Sequence, residues 1–227
     1  MDLTTQESIY VSFETLSQAD AYYRWLANRV RPYIRGKTLE IGAGIGNFGK
    51  WLKDAAAEYH ASDVDPRLLP QLQENFEHAF LWDVYQPFPR TDLYDVIISI
   101  NVVEHLSNDT AALQALRERL KPDGIMIVIV PAMNFLFGTL DESFGHFRRY
   151  TKQKMTALLE QLSFKILKRE YVNVIGMAGW FIYGKILRRN KLPHELCSHF
   201  NVLVPLLKLE RPIAHFMGLS LLVVAQK

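Results

Sequence analysis

Leu39-Glu40-Ile41-Gly42-Ala43-Gly44-Ile45-Gly46-Asn47 decides the fold. An apolar strand, Thr38 to Ile41, runs straight into three glycines at alternate positions. A helix is predicted to follow over 47–57, with Phe48, Trp51 and Leu52 on one face. Strand, glycine turn and helix together make a nucleotide-binding arrangement. Glycine has no Cβ, so the backbone can turn tightly and a ligand can approach it closely. The helix N-terminus adds unpaired N–H groups and the positive end of a dipole.

Outward from this loop the chain alternates between strands and helices, the rule that builds a parallel sheet. Strand one is expected over 38–42. Strand two, Glu58 to Ser62, ends in Asp63-Val64-Asp65-Pro66. Asp65 suits an N-cap and Pro66 a first helical position, so a helix is predicted over 66–76. Strand three is short, near 78–82. Strand four, Asp95 to Ile100, and strand five, Ile125 to Val130, are almost wholly apolar, as strands buried on both faces should be. Between them a helix is predicted over 109–120, ended by Lys121-Pro122-Asp123-Gly124.

The flanks read differently. Leu16, Ala19, Tyr22, Tyr23, Leu26, Ala27 and Val30 recur at helical spacing, with Ser17 or Asp20 as caps. They predict a helix within 15–34 lying across the start of the core. After strand five, residues 133–150 read as an ordered aromatic loop. Thr151 is placed to cap a helix over 152–162. Lys165 to Val174 reads as strand six, 175–215 as apolar, basic and partly helical, and Gly218 to Gln226 as a final strand.

A chain of 227 residues that is 49% hydrophobic can bury a sizeable core in one domain. We divide it into an N-terminal helical cap (1–35), a cofactor-binding core (36–131), a substrate-side loop and helical insertion (132–217) and the final strand (218–227). The single cysteine, Cys197, excludes an intrachain disulfide and a cysteine metal cluster, and a reducing cytoplasm is the expected location. No signal peptide or membrane-spanning run is expected. The net charge of +2 hides an asymmetry. Residues 1–144 carry 12 Lys/Arg against 20 Asp/Glu, a net of −8, whereas 145–227 carry 14 against 4, a net of +10. The basic third suits an acidic ligand or an anionic membrane, and equally a solvated basic face.

Two readings of the glycine loop compete. Gly44-Ile45-Gly46-Asn47-Phe48-Gly49 matches the G-x-G-x-x-G of dinucleotide sites, with Asp63 downstream as a ribose partner. The glycines, however, begin at the strand end with Gly42, and from there the third position falls on Asn47. Glu40 at the strand end suits a cationic amino-acid moiety better than a pyrophosphate. A second acidic step, Leu81-Trp82-Asp83-Val84, follows strand three.

With these neighbours, Glu40-x-Gly42-x-Gly44-x-Gly46-Asn47 resembles motif I of the class I S-adenosylmethionine-dependent methyltransferases. Tyr94 to Leu106 (YDVIISINVVEHL) resembles the family's motif IV and its continuation, and Leu120-Lys121-Pro122-Asp123-Gly124-Ile125 its turn into strand five. These segments span about 36–131 in the family's order. The resemblance implies a Rossmann-like α/β fold: a seven-stranded, mostly parallel sheet with one antiparallel strand, an N-terminal helix and a helical insertion before the last strand. It also implies S-adenosylmethionine as cofactor and S-adenosylhomocysteine as product. Glu40, Gly42, Gly44, Gly46, Asn47, Asp63, Val64, Asp83, Val84 and Asn101 are the implied cofactor residues. Among them Asp63 would hold the ribose hydroxyls, with Asp65 as its competitor, and Asp83 the adenine amino group.

Ligands of open α/β sheets bind outside the C-terminal strand ends, so Asn101, Glu104 and His105 should border the transferred methyl group. His105 is the first candidate for a base or orienting group. The second is His146, within Asp141-Glu142-Ser143-Phe144-Gly145-His146-Phe147-Arg148-Arg149-Tyr150. That run resembles the D-x-x-x-G-H-x-R-R-Y loop of a bacterial small-molecule or lipid-type methyltransferase subgroup. Arg148 or Arg149 could bind an anionic acceptor, or could pair with Asp141 in a purely structural knot. His105, Asp141 and His146 lack tight metal-ligand spacing, and no metal is expected.

The expected reaction is methyl transfer to a small or lipid-like acceptor, at oxygen ahead of nitrogen or carbon. The competing classes are an NAD-dependent oxidoreductase and a non-catalytic cofactor-binding module. No nucleic-acid partner is expected; the segment after strand four lacks the Asn/Asp-Pro-Pro-aromatic tetrad of exocyclic-amine DNA methyltransferases. Residues 174–209 place aromatic and aliphatic side chains beside Lys185, Arg188, Arg189 and Lys191. They suit a lid, a peripheral membrane contact or a homodimer face.

Overall fold

The computed structural model describes residues 19–191, 194–207 and 209–227. Seven strands form one sheet in the order β3-β2-β1-β4-β5-β7-β6. They are β1 (Lys37–Ile41), β2 (Glu58–Asp63), β3 (His78–Leu81), β4 (Tyr94–Ile100), β5 (Leu120–Pro131), β6 (Lys165–Val172) and β7 (Ser220–Gln226). Strands β1 to β5 pair in parallel, and β7 runs antiparallel between β5 and β6. The sheet is therefore mostly parallel with one reversed strand.

The strand period of two explains the two-layered core. In β4, Val96, Ile98 and Ile100 pack on one face and Ile97 on the other. In β7, Leu222 and Val224 face one way, and Leu221, Val223 and Ala225 the other. One layer is closed by helix Asp109–Glu118 through Ala112, Leu113 and Leu116 and by helix Lys152–Gln161 through Met155 and Leu159. The other is closed by helix Asp20–Val30 through Leu26, Ala27 and Val30.

Several local expectations are met and others corrected. Thr151 caps the helix Lys152–Gln161, its hydroxyl accepting from the Lys154 N–H at 3.2 Å. The N-terminal helix begins at Asp20, and residues 15–18 lie outside the described part. The single helix expected over 47–57 is instead two short 3₁₀ turns, Gly49–Trp51 and Lys53–Ala55. Gly49 inside the stretch lowers its helix propensity, and the Gly46 loop fixes where it starts. Asp65 does not cap a helix beginning at Pro66; the helix is Leu69–Asn75, and Asp65 is drawn into a side-chain pair with Arg67. Lys121 to Gly124 is a bulge within β5, where Tyr94 faces Leu120 but Val96 faces Ile125.

All the segments singled out as chemical lie at one end of the sheet. The glycine loop follows β1, Asp63 ends β2, Asp83 follows β3, Asn101 to His105 follow β4, and the 132–150 segment follows β5.

Candidate functional site

Gly42, Gly44 and Gly46 all have positive φ, at 60°, 58° and 87°. Only glycine takes these angles without strain. A Cβ on Gly42 would lie 2.3 Å from Val102 Cγ2, and one on Gly46 would lie 2.5 Å from the Phe76 ring. The loop is thus clamped between the chain after β4 and the ring of Phe76. Asp63 ties it from below. Its Oδ2 accepts from the Gly44 N–H at 2.8 Å and its Oδ1 from the Asp65 N–H at 2.9 Å. Burial pushes the Asp63 carboxyl up, and these backbone amides partly offset the effect.

Glu40 lies beneath the loop, fully buried. Its Oε2 accepts from the Tyr59 hydroxyl at 2.8 Å, and its Oε1 has no partner within the protein. Burial raises its pKa to about 8 against the opposing Tyr59 hydrogen bond. A buried carboxylate oxygen without a donor is costly. It fits the cationic amino-acid end of S-adenosylmethionine, which would supply that donor. The glycine cradle and the Asp63 carboxylate beside it fit the rest of the same molecule.

The other implied cofactor residues are spread along the strand ends. Asn47 is half-buried within the loop. Asp83 is half-buried and accepts from the Tyr85 N–H at 3.0 Å. Val64 is exposed, but Val84 packs into the core with Trp82. Asn101 is exposed and left-handed, with φ 50°. That bend turns the chain from the end of β4 toward Glu104 and His105.

The structure brings His105 and His146 together, with ring centroids 4.8 Å apart in an edge-on arrangement. His146 Nδ1 lies 2.8 Å from Asp141 Oδ1. A carboxylate can only accept, so the Nδ1 proton is donated and the Nε2 lone pair is left free. That Nε2 lies 4.0 Å from Glu104 Oε1. The three side chains Glu104, His105 and His146 offer ligand-type atoms within 4.8 Å of one another. Glu104 thus takes the place that the sequence put Asp141 forward for. Glu104 is fully buried and neither carboxylate oxygen has a partner. Burial raises its pKa to about 8, with Arg149 opposing. Burial also drives His105 down to about 3, helped by His146.

Asp141 is the hub. Besides His146 it accepts from Arg149 Nε at 2.8 Å, Trp180 Nε1 at 3.1 Å and the Gly138 N–H at 3.1 Å. Burial penalises its charge, but His146 and Arg149 outweigh that and hold it below the usual carboxylate range. The ring of Trp180 is parallel to that of His146 within 2°, and Phe144 stacks on both. Both arginines are engaged within the protein, Arg149 in the pairing with Asp141 that the sequence allowed, though its Nη2 has no partner among the described residues. Arg149 is buried against Asp141 and the Ala132 carbonyl, and Arg148 pairs with Asp109 at 2.9 Å. Trp180 was legible in the sequence only as part of an apolar stretch. Its indole N–H reaches a carboxylate 39 positions away, which no local pattern signals.

The raised Glu104 pKa has a measurable consequence. The native protein keeps this proton from the ordinary carboxylate range up to about 8, whereas the unfolded chain loses it near ~4.3. Native protein then binds more protons, so the group's contribution is intact below the unfolded value and declines as pH rises toward 8. Glu104→Gln removes this term. The stability of the variant relative to wild type should rise by up to roughly 1.4 kcal/mol per pH unit between pH 5 and 8. Urea denaturation at several pH values measures it. A pH-independent difference would show that Glu104 is ionised throughout.

The sheet order and the glycine loop define the class I S-adenosylmethionine-dependent methyltransferase fold. The chain belongs to a methyltransferase family, whose family model, described as a methyltransferase domain, matches residues 17–169. S-adenosylmethionine is its cofactor and S-adenosylhomocysteine the product. Among curated relatives, a ubiquinone biosynthesis O-methyltransferase of Cereibacter sphaeroides is 31% identical over 102 residues, 42% of this chain and 41% of the relative. The match spans about two fifths of that relative's length. A solved S-adenosylmethionine-dependent methyltransferase from Archaeoglobus fulgidus is similar in fold, with TM-score 0.61 and 18% identity over 90% of this chain and 94% of that one. A methyltransferase solved in complex with a Haloferax volcanii methyltransferase activator matches with TM-score 0.69 and 14% identity, covering 100% of this chain and 98% of that one. At such identities the structural likeness speaks for the fold alone.

Proposed function

We propose that this methyltransferase transfers the methyl group to a hydroxyl of a small, apolar acceptor, with His146 as the base. The carrying observation is the Asp141–His146 pair, which leaves His146 Nε2 free beside Glu104 and His105 at the C-terminal edge of the sheet. Bound S-adenosylmethionine supplies an electrophilic methyl group. The protein's task is to hold the acceptor oxygen in line, exclude water and take the hydroxyl proton. His146 Nε2 takes that proton, while Asp141 accepts from Nδ1 and stabilises the imidazolium that forms. His105, driven to about 3 by burial, is a weak base and orients the acceptor as a neutral ring.

The cover over this site supports an apolar acceptor. Helix Val174–Phe181 and the turn Ile182–Ile186 lie over the 134–143 segment. They are held there by the Thr139 hydroxyl, which donates to the Arg189 carbonyl at 2.7 Å and lies 3.1 Å from the Gly184 carbonyl, and by contact of Phe135 with Phe181. This apolar cover, with Trp180 at its inner side, borders His146. The Cereibacter relative is named for O-methylation in ubiquinone biosynthesis, which supports oxygen as the methylated atom. Among the described residues no helix is long and apolar enough to cross a membrane. The exposed side chains of Ile182, Ile186 and Leu187 give a lipid-like acceptor an apolar approach to this cover.

The test is calorimetric binding of S-adenosylhomocysteine and NADH, followed by transfer of a labelled methyl group to a panel of phenols, prenylated phenols and amines. Saturable S-adenosylhomocysteine binding and label in phenolic products are expected. Binding of NADH alone would end the reading, and label in amines alone would move it to nitrogen. Within the same proposal Asp63 holds the ribose. Asp63→Ala should weaken S-adenosylhomocysteine binding roughly 10- to 100-fold, the worth of hydrogen bonds to a charged group. Asp65→Ala should change it little, because Asp65 is already paired with Arg67. A larger loss in Asp65→Ala would reverse the assignment.

A further inference from the structure

At the opposite end of the sheet, away from every residue used above, the strand register assembles a second polar cluster. Glu58 opens β2 and His60 follows two residues on, so both point to the same face. His78 opens β3, and parallel pairing sets it beside His60. The imidazole centroids of His60 and His78 are 4.7 Å apart. Glu58 Oε1 lies 2.6 Å from His60 Nε2 and 3.6 Å from His78 Nε2. One ligand-type atom from each of the three lies within 4.8 Å of the others.

We propose that Glu58, His60 and His78 form a binding site for one divalent first-row transition-metal ion of the zinc type. Two imidazole nitrogens and one carboxylate oxygen suit Zn²⁺, Co²⁺ or Ni²⁺, whereas Mg²⁺ and Ca²⁺ prefer all-oxygen shells. Water completes the shell from the exposed side, since the side chains of Glu58 and His78 are about one third exposed. The site is anchored on its inner side. His60 is fully buried, and its Nδ1 lies 2.9 Å from the Tyr94 hydroxyl.

A hydroxyl can donate or accept, so Tyr94 serves both tautomers of His60. Without an ion, Nε2–H donates to Glu58 and Tyr94 donates to Nδ1. With an ion, Nδ1–H donates to Tyr94 and the Nε2 lone pair faces the metal, the arrangement in which a second hydrogen bond orients a ligating histidine. Lys37 holds the other carboxylate oxygen, Oε2, at 3.0 Å, and also pairs with Asp92 at 2.7 Å, so Glu58 Oε1 is left to the histidines. Opening the short Glu58–His60 contact by a small rotation of the exposed carboxylate makes room for the ion. An ion here ties the four-residue edge strand β3 to its neighbour in the sheet, β2. Strand β3 leads directly into Trp82 and Asp83 at the other end.

The test uses the full chain, stripped with a chelator and titrated with Zn²⁺ and then Co²⁺. Expected are one saturable high-affinity ion, a rise in melting temperature that the chelator reverses, and a Co²⁺ absorption spectrum of four-coordinate intensity. His78→Ala and Glu58→Gln, both at partly exposed positions, should each weaken binding by at least roughly tenfold. Circular dichroism and S-adenosylhomocysteine binding should stay as in wild type. The double variant His105→Ala/His146→Ala should retain the ion. Zn²⁺ binding that survives His78→Ala, or that disappears in the double variant, would assign the ion elsewhere and overturn the proposal. So would the absence of any melting shift at excess Zn²⁺, which would leave the three residues as a hydrogen-bonded cluster only.

Discussion

His146→Ala should lower the rate of methyl transfer by about 10²- to 10⁴-fold, the usual worth of a positioned base. S-adenosylhomocysteine should bind as in wild type, because no cofactor residue touches the ring. Nearby groups cannot replace it. His105 is pushed to about 3 by burial, and Glu104 holds its proton up to about 8. The measurement is kcat against the cofactor dissociation constant, with a pH profile for the residual activity. A variant that keeps wild-type kcat would show that the acceptor ionises without help and that His146 only shapes the pocket. Gain of activity on adding imidazole would support the base role directly.

Asp141→Ala should be the most destabilising single change in the site. Four donors converge on this buried carboxylate: the His146 ring, the Arg149 guanidinium, the Trp180 indole and the Gly138 backbone. Removing it leaves the buried Arg149 charge without its partner, which costs about 3–5 kcal/mol in comparable pairs. For a chain of this size that corresponds to a drop of roughly 10 °C in melting temperature. Asp141→Asn keeps the shape and some of the hydrogen bonds, so it should lose less stability. It should still lose activity, since a neutral amide no longer stabilises the His146 imidazolium. The pair of variants separates the structural role from the chemical one. A loss below about 1 kcal/mol in Asp141→Ala would mean that water reaches Arg149 and that the hub is solvated.

Much of the architecture was legible because it depends on patterns that physics imposes locally. The almost wholly apolar runs at 95–100 and 125–130, short and rich in Ile and Val, read as strands covered on both faces, and they lie side by side within the sheet. Alternation with helices demanded parallel pairing. The helix expected after the glycine loop failed for a related reason. The segment from 47 to 57 has the right apolar spacing, but it starts from the clamped glycine loop and carries Gly49, and it settles into 3₁₀ turns. Asp65 does accept from the Arg67 backbone N–H at 3.0 Å, but its carboxylate also binds the Arg67 side chain, and the α-helix begins only at Leu69.

The sequence by itself placed the glycine loop and its acidic neighbours. Glu40 lies in β1 with the glycines directly after it, Asp63 ends β2 and Asp83 follows β3. Strand–helix alternation makes these strands parallel, so the sheet gathers the segments at one edge, whereas their role toward a cofactor comes from the family resemblance. The acceptor half was decided only by tertiary structure. His105 and His146 are separated by 41 residues, and nothing local makes their rings meet. What unites them is the Phe147 N–H donating to the Glu104 carbonyl at 2.8 Å, with Asp141 holding His146, Arg149 and Trp180 around one carboxylate. Burial then sets their chemistry by depressing His105 and raising Glu104, and burial is a property of the packed chain that no single stretch carries.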